Sequence, residues 1–482
     1  MSTIAKARSE AGKLFALATL ALVAFMARAD APAGRRVEGI WQGTLQGALR
    51  IVIHVDRAPG GALSGSMDSP DQGAMGLAID TLSFDGDSLR FEMRRLRAGF
   101  AGRLTAAGDS LVGEWRQSGL AMPLALGRTG KAPELRRPQD PRPPYPYDTL
   151  EVAYPNPAAP GVTLAGTLTT PRGPGPFPCA VLITGSGPED RDEAVFGHRP
   201  FRVLADHLTR AGIAVLRADD RGVGKSTGKF STATSEDFAG DVLAGIEFLR
   251  GRHEIDRRRI GLIGHSEGGL IAPMVATRSR QTAFIVMMAG PGLPGDSILM
   301  LQSAAMRRTI GVSEEAIGRE MAVSRRMYAL LRGGDSAGVA VASRELVRLQ
   351  LAALPEAQRE AAGDPDKLAA GALRQLLSPW MRFFATYDPR PALSRLACPV
   401  LAINGSKDLQ VPPRENLAAI RAALEAGRNR DFTVKELPGL NHLFQTCETG
   451  GAWEYAQIEE TIAPAALKEM SDWILGHAGP KR

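Results

Sequence analysis

Apolar and polar residues alternate along the first part of the chain in short runs, at 40–45, 49–55, 88–93 and 111–115, broken by glycine and aspartate. A period of two with turn residues at this spacing predicts a small antiparallel β barrel or sandwich over residues 37–130. Trp41 and Trp115 fall inside these runs and are read as core residues rather than ligand contacts, because large aromatics dominate small cores. Residues 131–160 then carry nine prolines. That density favours extended, semi-rigid chain, and the segment is expected to link two domains.

Beyond it the period changes. Largely apolar runs at 179–184, 213–218, 260–263 and 284–288 alternate with stretches of helical spacing at 201–210 and 238–249. Strand, turn and helix repeating in this order predict an α/β domain over 161–478, a mostly parallel sheet with helices on both faces. Strand signals stop between 293 and 396, a stretch rich in Ala, Leu, Met and Arg that reads as helical with breaks at Gly333-Gly334 and Gly363-Asp364-Pro365. They resume at 399–403 and 432–436, and an amphipathic helix is expected over 464–475. The helical block is thus an insertion within the α/β domain, which in a hydrolase would cap the active site, the alternative being helices packed away from it.

The first 29 residues stand apart. Lys6, Arg8 and Lys13 precede an apolar run of 13 residues at 14–26, which ends in Ala27-Arg28-Ala29. A basic start, an apolar middle and an A-x-A ending are the parts of a secretory signal, and the run is shorter than the ~20 residues of a membrane-spanning helix. The chain is therefore expected to be exported, periplasmic or secreted, with no stable membrane span once residues 1–29 are removed. Their removal takes away Lys6, Arg8, Lys13, Arg28 and Glu10 and lowers the formal charge from +6 to +3. So small a charge is no argument for nucleic-acid binding. The three cysteines, Cys179, Cys398 and Cys447, allow at most one disulfide and lack metal-ligand spacing.

The run Gly264-His265-Ser266-Glu267-Gly268 follows an apolar strand at 259–263 and precedes a helical stretch at 269–276. Glycines two positions either side of a serine let the chain turn sharply from strand to helix and expose the hydroxyl, which makes Ser266 a candidate nucleophile. Such a hydroxyl attacks well only when a base removes its proton and a third group orients that base. Two histidines follow Ser266: His477, at the frayed end of the last helix, and His442, in the loop directly after the strand at 432–436. Position selects His442. Of the eight later aspartates, Asp408 alone follows a buried strand in a short loop, bounded by Asn404-Gly405 and Pro412-Pro413, and is the candidate acid. Asp431, which opens a strand at the opposite edge, is the second choice. Oxyanion donors are expected from the backbone N–H of Glu267 and from the loop Thr184-Gly185-Ser186-Gly187-Pro188, with Ser186 first and Gly187 as the alternative. That loop lacks the lysine and spacing of a phosphate-binding loop. This chemistry calls for no cofactor and no metal.

Asp219-Asp220-Arg221-Gly222-Val223-Gly224-Lys225-Ser226 resembles the D-x-R-G-x-G-x-S turn of α/β-hydrolases. The segment Gly185-Ser186-Gly187-Pro188-Glu189-Asp190-Arg191-Asp192, with Leu440-Asn441-His442-Leu443-Phe444-Gln445, resembles bacterial exported esterases of the serine aminopeptidase-like group. The likeness covers about residues 150–478 and implies carboxylic ester hydrolysis through Ser266, Asp408 and His442. One departure is Thr184, which stands where many relatives have the histidine of a His-Gly oxyanion loop.

The favoured reading is a carboxylesterase acting on a small-molecule partner, a small to medium acyl ester. Trp380, Phe383, Phe384 and Tyr387 fall at helical spacing, set either to line an apolar pocket under the cap or to pack the cap itself. Trp380, Phe384 and Tyr387 are the candidate substrate contacts. An aminopeptidase is the alternative. It needs a carboxylate for the substrate ammonium, which Glu267, Glu189 or Asp190 would supply unless these acids pair with Arg191 or Arg221. A third class, a noncatalytic binding protein working through its β-domain, is disfavoured by an intact triad.

Overall fold

Alternation decides the N-terminal unit. In the strand Ser88–Met93 of the computed structural model, Leu89, Phe91 and Met93 are buried while Arg90 and Glu92 are exposed, the pattern of a sheet with one wet face. The structure describes residues 36–478 apart from 46–48, 73, 118–119, 132–135, 355, 357–358, 360–361 and 363. The leader expected at 1–29 lies outside the described residues. Between Gly39 and Thr129 nine strands pair antiparallel in one sheet. Its two meanders join where the first strand, Gly39–Leu45, pairs with the last, Leu120–Thr129. The result is one half-barrel around a single core, not two stacked sheets. Trp41 and Trp115 lie in that core, and Trp41 Nε1–H donates to the Val37 carbonyl at 2.8 Å.

The second unit comprises residues 137–355 and 362–478. Its sheet has strands β1 (Tyr147–Pro155), β2 (Thr163–Pro171), β3 (Phe177–Ile183), β4 (Ala214–Ala218), β5 (Ile255–His265), β6 (Ile285–Met288), β7 (Val400–Gly405) and β8 (Phe432–Leu437). Their spatial order is β1-β2-β4-β3-β5-β6-β7-β8; β1, β2 and β4 pair antiparallel and every later ladder is parallel. The apolar runs are continuous because both faces of the sheet are covered. Along β3, Cys179, Val181 and Ile183 enter one core while Ala180 and Leu182 enter the other. The helices between and after the strands are α1 (Pro200–Arg210), α2 (Ser235–Arg250) and α3 (Glu267–Arg278), then α4 (Gly295–Thr309), α5 (Glu314–Arg332), α6 (Ser336–Ala352), α7 (Pro365–Leu376), α8 (Pro379–Thr386), α9 (Arg390–Leu393), α10 (Pro413–Ala426) and α11 (Pro464–Ala478). Helices α1 and α11 cover one face; α2, α3 and α10 cover the other.

The proline-rich stretch needs a correction. From residue 137 the chain already belongs to the α/β unit. Arg137 donates to the carbonyls of Phe196 and Ala456 at 2.9 and 2.8 Å, and Gln139 accepts from Thr461 N–H at 2.5 Å. Tyr147–Pro155, expected to be linker, is the edge strand of the sheet. Its proline sits at the strand's end, where a missing N–H costs least.

The helical insertion stands where it was expected, with α4–α9 all lying between β6 and β7. Its breaks follow local chemistry. Gly334 adopts φ 78°, and Asp335 accepts from Gly338 N–H at 2.8 Å to start α6. Asp364 caps α7 in the same manner, with Pro365 in its first turn, where no N–H is needed.

Candidate active site

The parallel ladder carries four chain ends to one edge. β5 ends at His265, and Ser266 turns the chain into α3 with φ 52° and ψ −117°. A non-glycine residue with that positive φ is strained, and such strain persists only where surrounding structure holds it. Ser266 N–H donates to Met288 O at 2.8 Å, and Gly269 N–H closes the turn on Ser266 O at 2.9 Å. Sterics explain the flanking glycines: a methyl group on Gly264 would overlap the Gly268 carbonyl, and one on Gly268 would overlap the Ile183 carbonyl. Gly264→Ala is accordingly expected to cost about 3 kcal/mol or more, since backbone atoms must give way. Thermal unfolding should show this as a drop in Tm of at least about 5 °C; an unchanged Tm would mean that the elbow is looser than this geometry.

Ser266 is half-buried, and its hydroxyl forms no hydrogen bond among the described residues. The other two candidates are joined. Asp408, in the loop after β7, accepts His442 Nδ1–H at 2.8 Å on Oδ2 and the N–H groups of Gln410 and Val411 at 2.7 and 2.9 Å on Oδ1. With Nδ1 donating, His442 Nε2 presents its lone pair. Both residues are almost wholly buried. The loop after β8 is held by Asn441, whose Oδ1 accepts from the N–H groups of Leu443 and Gln445, each at 3.0 Å. Asp431, the second choice for the acid, lies at the other edge, where its carboxylate meets His477 Nε2 at 3.1 Å.

The glycine loop after β3 rests against the serine, since a methyl group on Gly185 would sit 3.3 Å from Ser266 Cβ. Gly185 N–H is committed to Glu193 Oε1 at 2.7 Å. Ser186 and Gly187 make no backbone N–H hydrogen bond among the described residues. Thr184, at the departure noted above, uses its hydroxyl to bond Asp220 at 2.8 Å and so anchors the loop from below. Burial raises the Asp220 carboxyl to about 8 despite hydrogen bonds from Glu189 N–H and Thr184, with Glu267 and Glu193 adding to the rise.

Three features of this site escaped the sequence reading. The first is His265, beside the serine, which bonds Glu193 Oε1 through Nδ1 and the His442 carbonyl through Nε2, both at 2.9 Å. Burial disfavours its charged form, but the Glu193 carboxylate, the His442 carbonyl and Asp408 outweigh it and lift His265 to about 9. The second is the side chain of Glu267, which is buried and accepts Ser235 Oγ–H at 2.5 Å and Trp380 Nε1–H at 2.8 and 3.0 Å. It ties the elbow to helix α2 and to the insertion. The third concerns the loop arginines: Arg191 pairs with Asp219 and Glu151, and Arg221 with Asp241, rather than with Glu189, Asp190 or Glu267. A histidine inside the serine motif was the one signal that pointed toward any of these.

The aromatic stripe of α8 divides. Trp380 reaches Glu267, and Phe384, stacked on it at 5.4 Å, is buried in the core, while Tyr387 stacks on Phe383 at 5.5 Å. Of the three candidate contacts, Trp380 is the one hydrogen-bonded to the elbow residue Glu267 among the described residues. The three cysteines are unpaired.

Comparison with known proteins gives three findings. Residues 199–446, just over half the chain, match the family model described as serine aminopeptidase, S33. Esterase EstD of Thermotoga maritima is 26% identical over 293 residues, and the chain spans 60% of that relative's length with 60% of its own. Similar solved structures include the Pyrococcus furiosus esterase Pf2001, at 16% identity and TM-score 0.41, covering 69% of this chain and 94% of that one. Another is ferulic acid-bound Est1E from Butyrivibrio proteoclasticus, at 16% identity and TM-score 0.41, covering 68% and 100%. On the strength of the family match, with a sheet order and helical layers that agree with it, the chain belongs to the serine aminopeptidase S33 family of α/β hydrolases.

Proposed function

We propose that the chain is a serine carboxylesterase that cleaves small to medium acyl esters through an acyl-enzyme. The observation that carries this reading is the buried Asp408–His442 hydrogen bond at the same sheet edge as the Ser266 elbow. In the proposed reaction Ser266 Oγ attacks the ester carbonyl as its proton passes to His442 Nε2, and Asp408 holds the tautomer that makes Nε2 the acceptor. The oxyanion is received by the N–H of Glu267 and by that of Ser186 or Gly187. The alcohol leaves with the proton from His442, and water activated by the same nitrogen releases the acid. The serine–imidazole bond is the one contact that must form on substrate binding, as is common in unliganded hydrolases.

Ester is preferred over peptide because Glu267, the acid nearest the serine, has its carboxylate buried under hydrogen bonds from Ser235 and Trp380. An ammonium group would have to displace both. The name of the relative EstD points the same way. Residues 1–29 support export, and the proposed site of action is the periplasm or the exterior.

A series of p-nitrophenyl acyl esters set against aminoacyl p-nitroanilides separates the two chemistries. The esters are expected to turn over and the anilides to remain intact. Equal or higher kcat/KM on the anilides would overturn the esterase reading in favour of an aminopeptidase.

A further inference from the structure

The loop that carries His442 and the glycine loop after β3 are joined through one imidazole, that of His265 next to the serine. His265 Nε2 bonds the carbonyl of His442 itself, and Nδ1 bonds Glu193 Oε1, the same oxygen that receives Gly185 N–H from the glycine loop. A carbonyl and a carboxylate are both acceptors only, so His265 satisfies both when each ring nitrogen carries a proton. A neutral ring would turn a lone pair toward one of them. Glu193 is only 5% exposed and adopts φ 51°, and its Oε2 is buried without a hydrogen bond among the described residues. A carboxylate so desolvated needs a cation against it, and the imidazolium is placed to be that cation. The pair is therefore built as a charged unit.

We propose that Glu193 and His265 are positioning residues whose ion pair sets the base loop and the oxyanion loop in register around Ser266, so that the proposed ester hydrolysis fails when the pair loses its charge. The inference rests on the serine-hydrolase reading above. Its chemistry is distinct from that of the triad, because neither residue touches substrate or the moving proton. The groups that face the imidazole are Glu193 from the loop after β3, the His442 ring at 4.8 Å and its carbonyl, Asp408 behind them, and the uncharged Phe444 ring at 6.5 Å. The value near 9 for His265 fixes the sign. Below it the imidazolium persists and both loops are held. Above it one of the two hydrogen bonds becomes a lone-pair repulsion.

Glu193→Gln separates charge from geometry. The amide oxygen in the place of Oε1 still accepts Gly185 N–H and His265 Nδ1–H, but it carries no charge to hold a second proton on the ring, so Nε2 turns its lone pair toward the His442 carbonyl. In the wild type, kcat on a p-nitrophenyl ester, corrected for spontaneous hydrolysis, is expected to fall with a midpoint near pH 9. In E193Q that alkaline limb disappears, because kcat at neutral pH is already lowered to the level the wild type reaches above the midpoint. Glu193→Ala, which releases both loops, is expected to lower kcat about 100-fold with KM within about twofold, as misplaced reacting groups do. Asp220 titrates in the neighbouring range, so Asp220→Asn is run beside these variants and is expected to keep the wild-type limb. Nitrogen NMR of labelled histidines gives a reading independent of turnover. The His265 ring, assigned by its loss in His265→Gln, should carry two protons at pH 7.5 in the wild type and one in E193Q.

An identical alkaline limb in wild type and E193Q, a limb lost in D220N, a loss in E193A confined to KM, or a singly protonated His265 in the wild type at pH 7.5 would each overturn the proposal. Fluorophosphonate labelling keeps its failure separate from that of the esterase reading. No label on Ser266 with a doubly protonated His265 defeats the serine mechanism and with it this role for the pair. Label on Ser266 with unmoved pH profiles defeats the pair alone.

Discussion

Ser266→Ala is expected to remove ester turnover, lowering kcat by on the order of 10⁵–10⁶-fold, as loss of the nucleophile does in a triad that works as a unit. The fold should survive the change. The Ser266 hydroxyl makes no hydrogen bond among the described residues, and alanine bears the same φ of 52° with no added bulk. The melting temperature is therefore expected to stay within about 2 °C of the parent, since the change touches no packed or bonded group. A p-nitrophenyl ester assay on purified variant, with thermal unfolding alongside, checks both halves. Activity within tenfold of wild type would place the nucleophile elsewhere.

Asp408→Asn carries the second largest effect, about 10³–10⁴-fold in kcat with little change in KM. The reason lies in the donor count around the carboxylate. Asp408 accepts from Gln410 N–H, Val411 N–H and His442 Nδ1–H, and an asparagine has one oxygen to offer. If that oxygen keeps the two backbone donors, the amide NH₂ faces His442 Nδ1. The imidazole proton then moves to Nε2, the atom that must be the base. Steady-state kinetics on the ester decide the matter, and a loss smaller than tenfold would return Asp431 to consideration despite its place at the other edge.

How far the chain announces this arrangement depends on the kind of interaction. The parallel strands were readable because both faces are buried: 179–183 and 400–403 are apolar without interruption, and they appear within Phe177–Ile183 and Val400–Gly405. The edge strand Tyr147–Pro155 was not. It is half exposed, and the prolines that flank it make the stretch resemble a linker. In the site, the serine elbow and the acid and base loops could be read because each is a short segment tied to a strand end. The Glu193–His265 bond joins residues 72 apart and the Trp380–Glu267 bond residues 113 apart. Neither pairing has any local pattern. The α8 aromatics show the same limit: helical spacing put Trp380, Phe384 and Tyr387 on one stripe, but not which of them would point to the elbow and which into the core.

The insertion between β6 and β7 has a consequence for how the proposed site is assembled. Ile285–Met288 and Val400–Ile403 are direct neighbours in the sheet, yet about a hundred residues separate them, and closing a loop of that length costs roughly 4 kcal/mol of chain entropy. The elbow and the glycine loop after β3 both precede that closure in the chain. Asp408 and His442 do not, because both hang from strands on its far side. During synthesis the emerging polypeptide thus carries Ser266, the proposed nucleophile, for more than a hundred residues before Asp408 and His442 are made, and the proposed triad is complete only when the last two strands have docked.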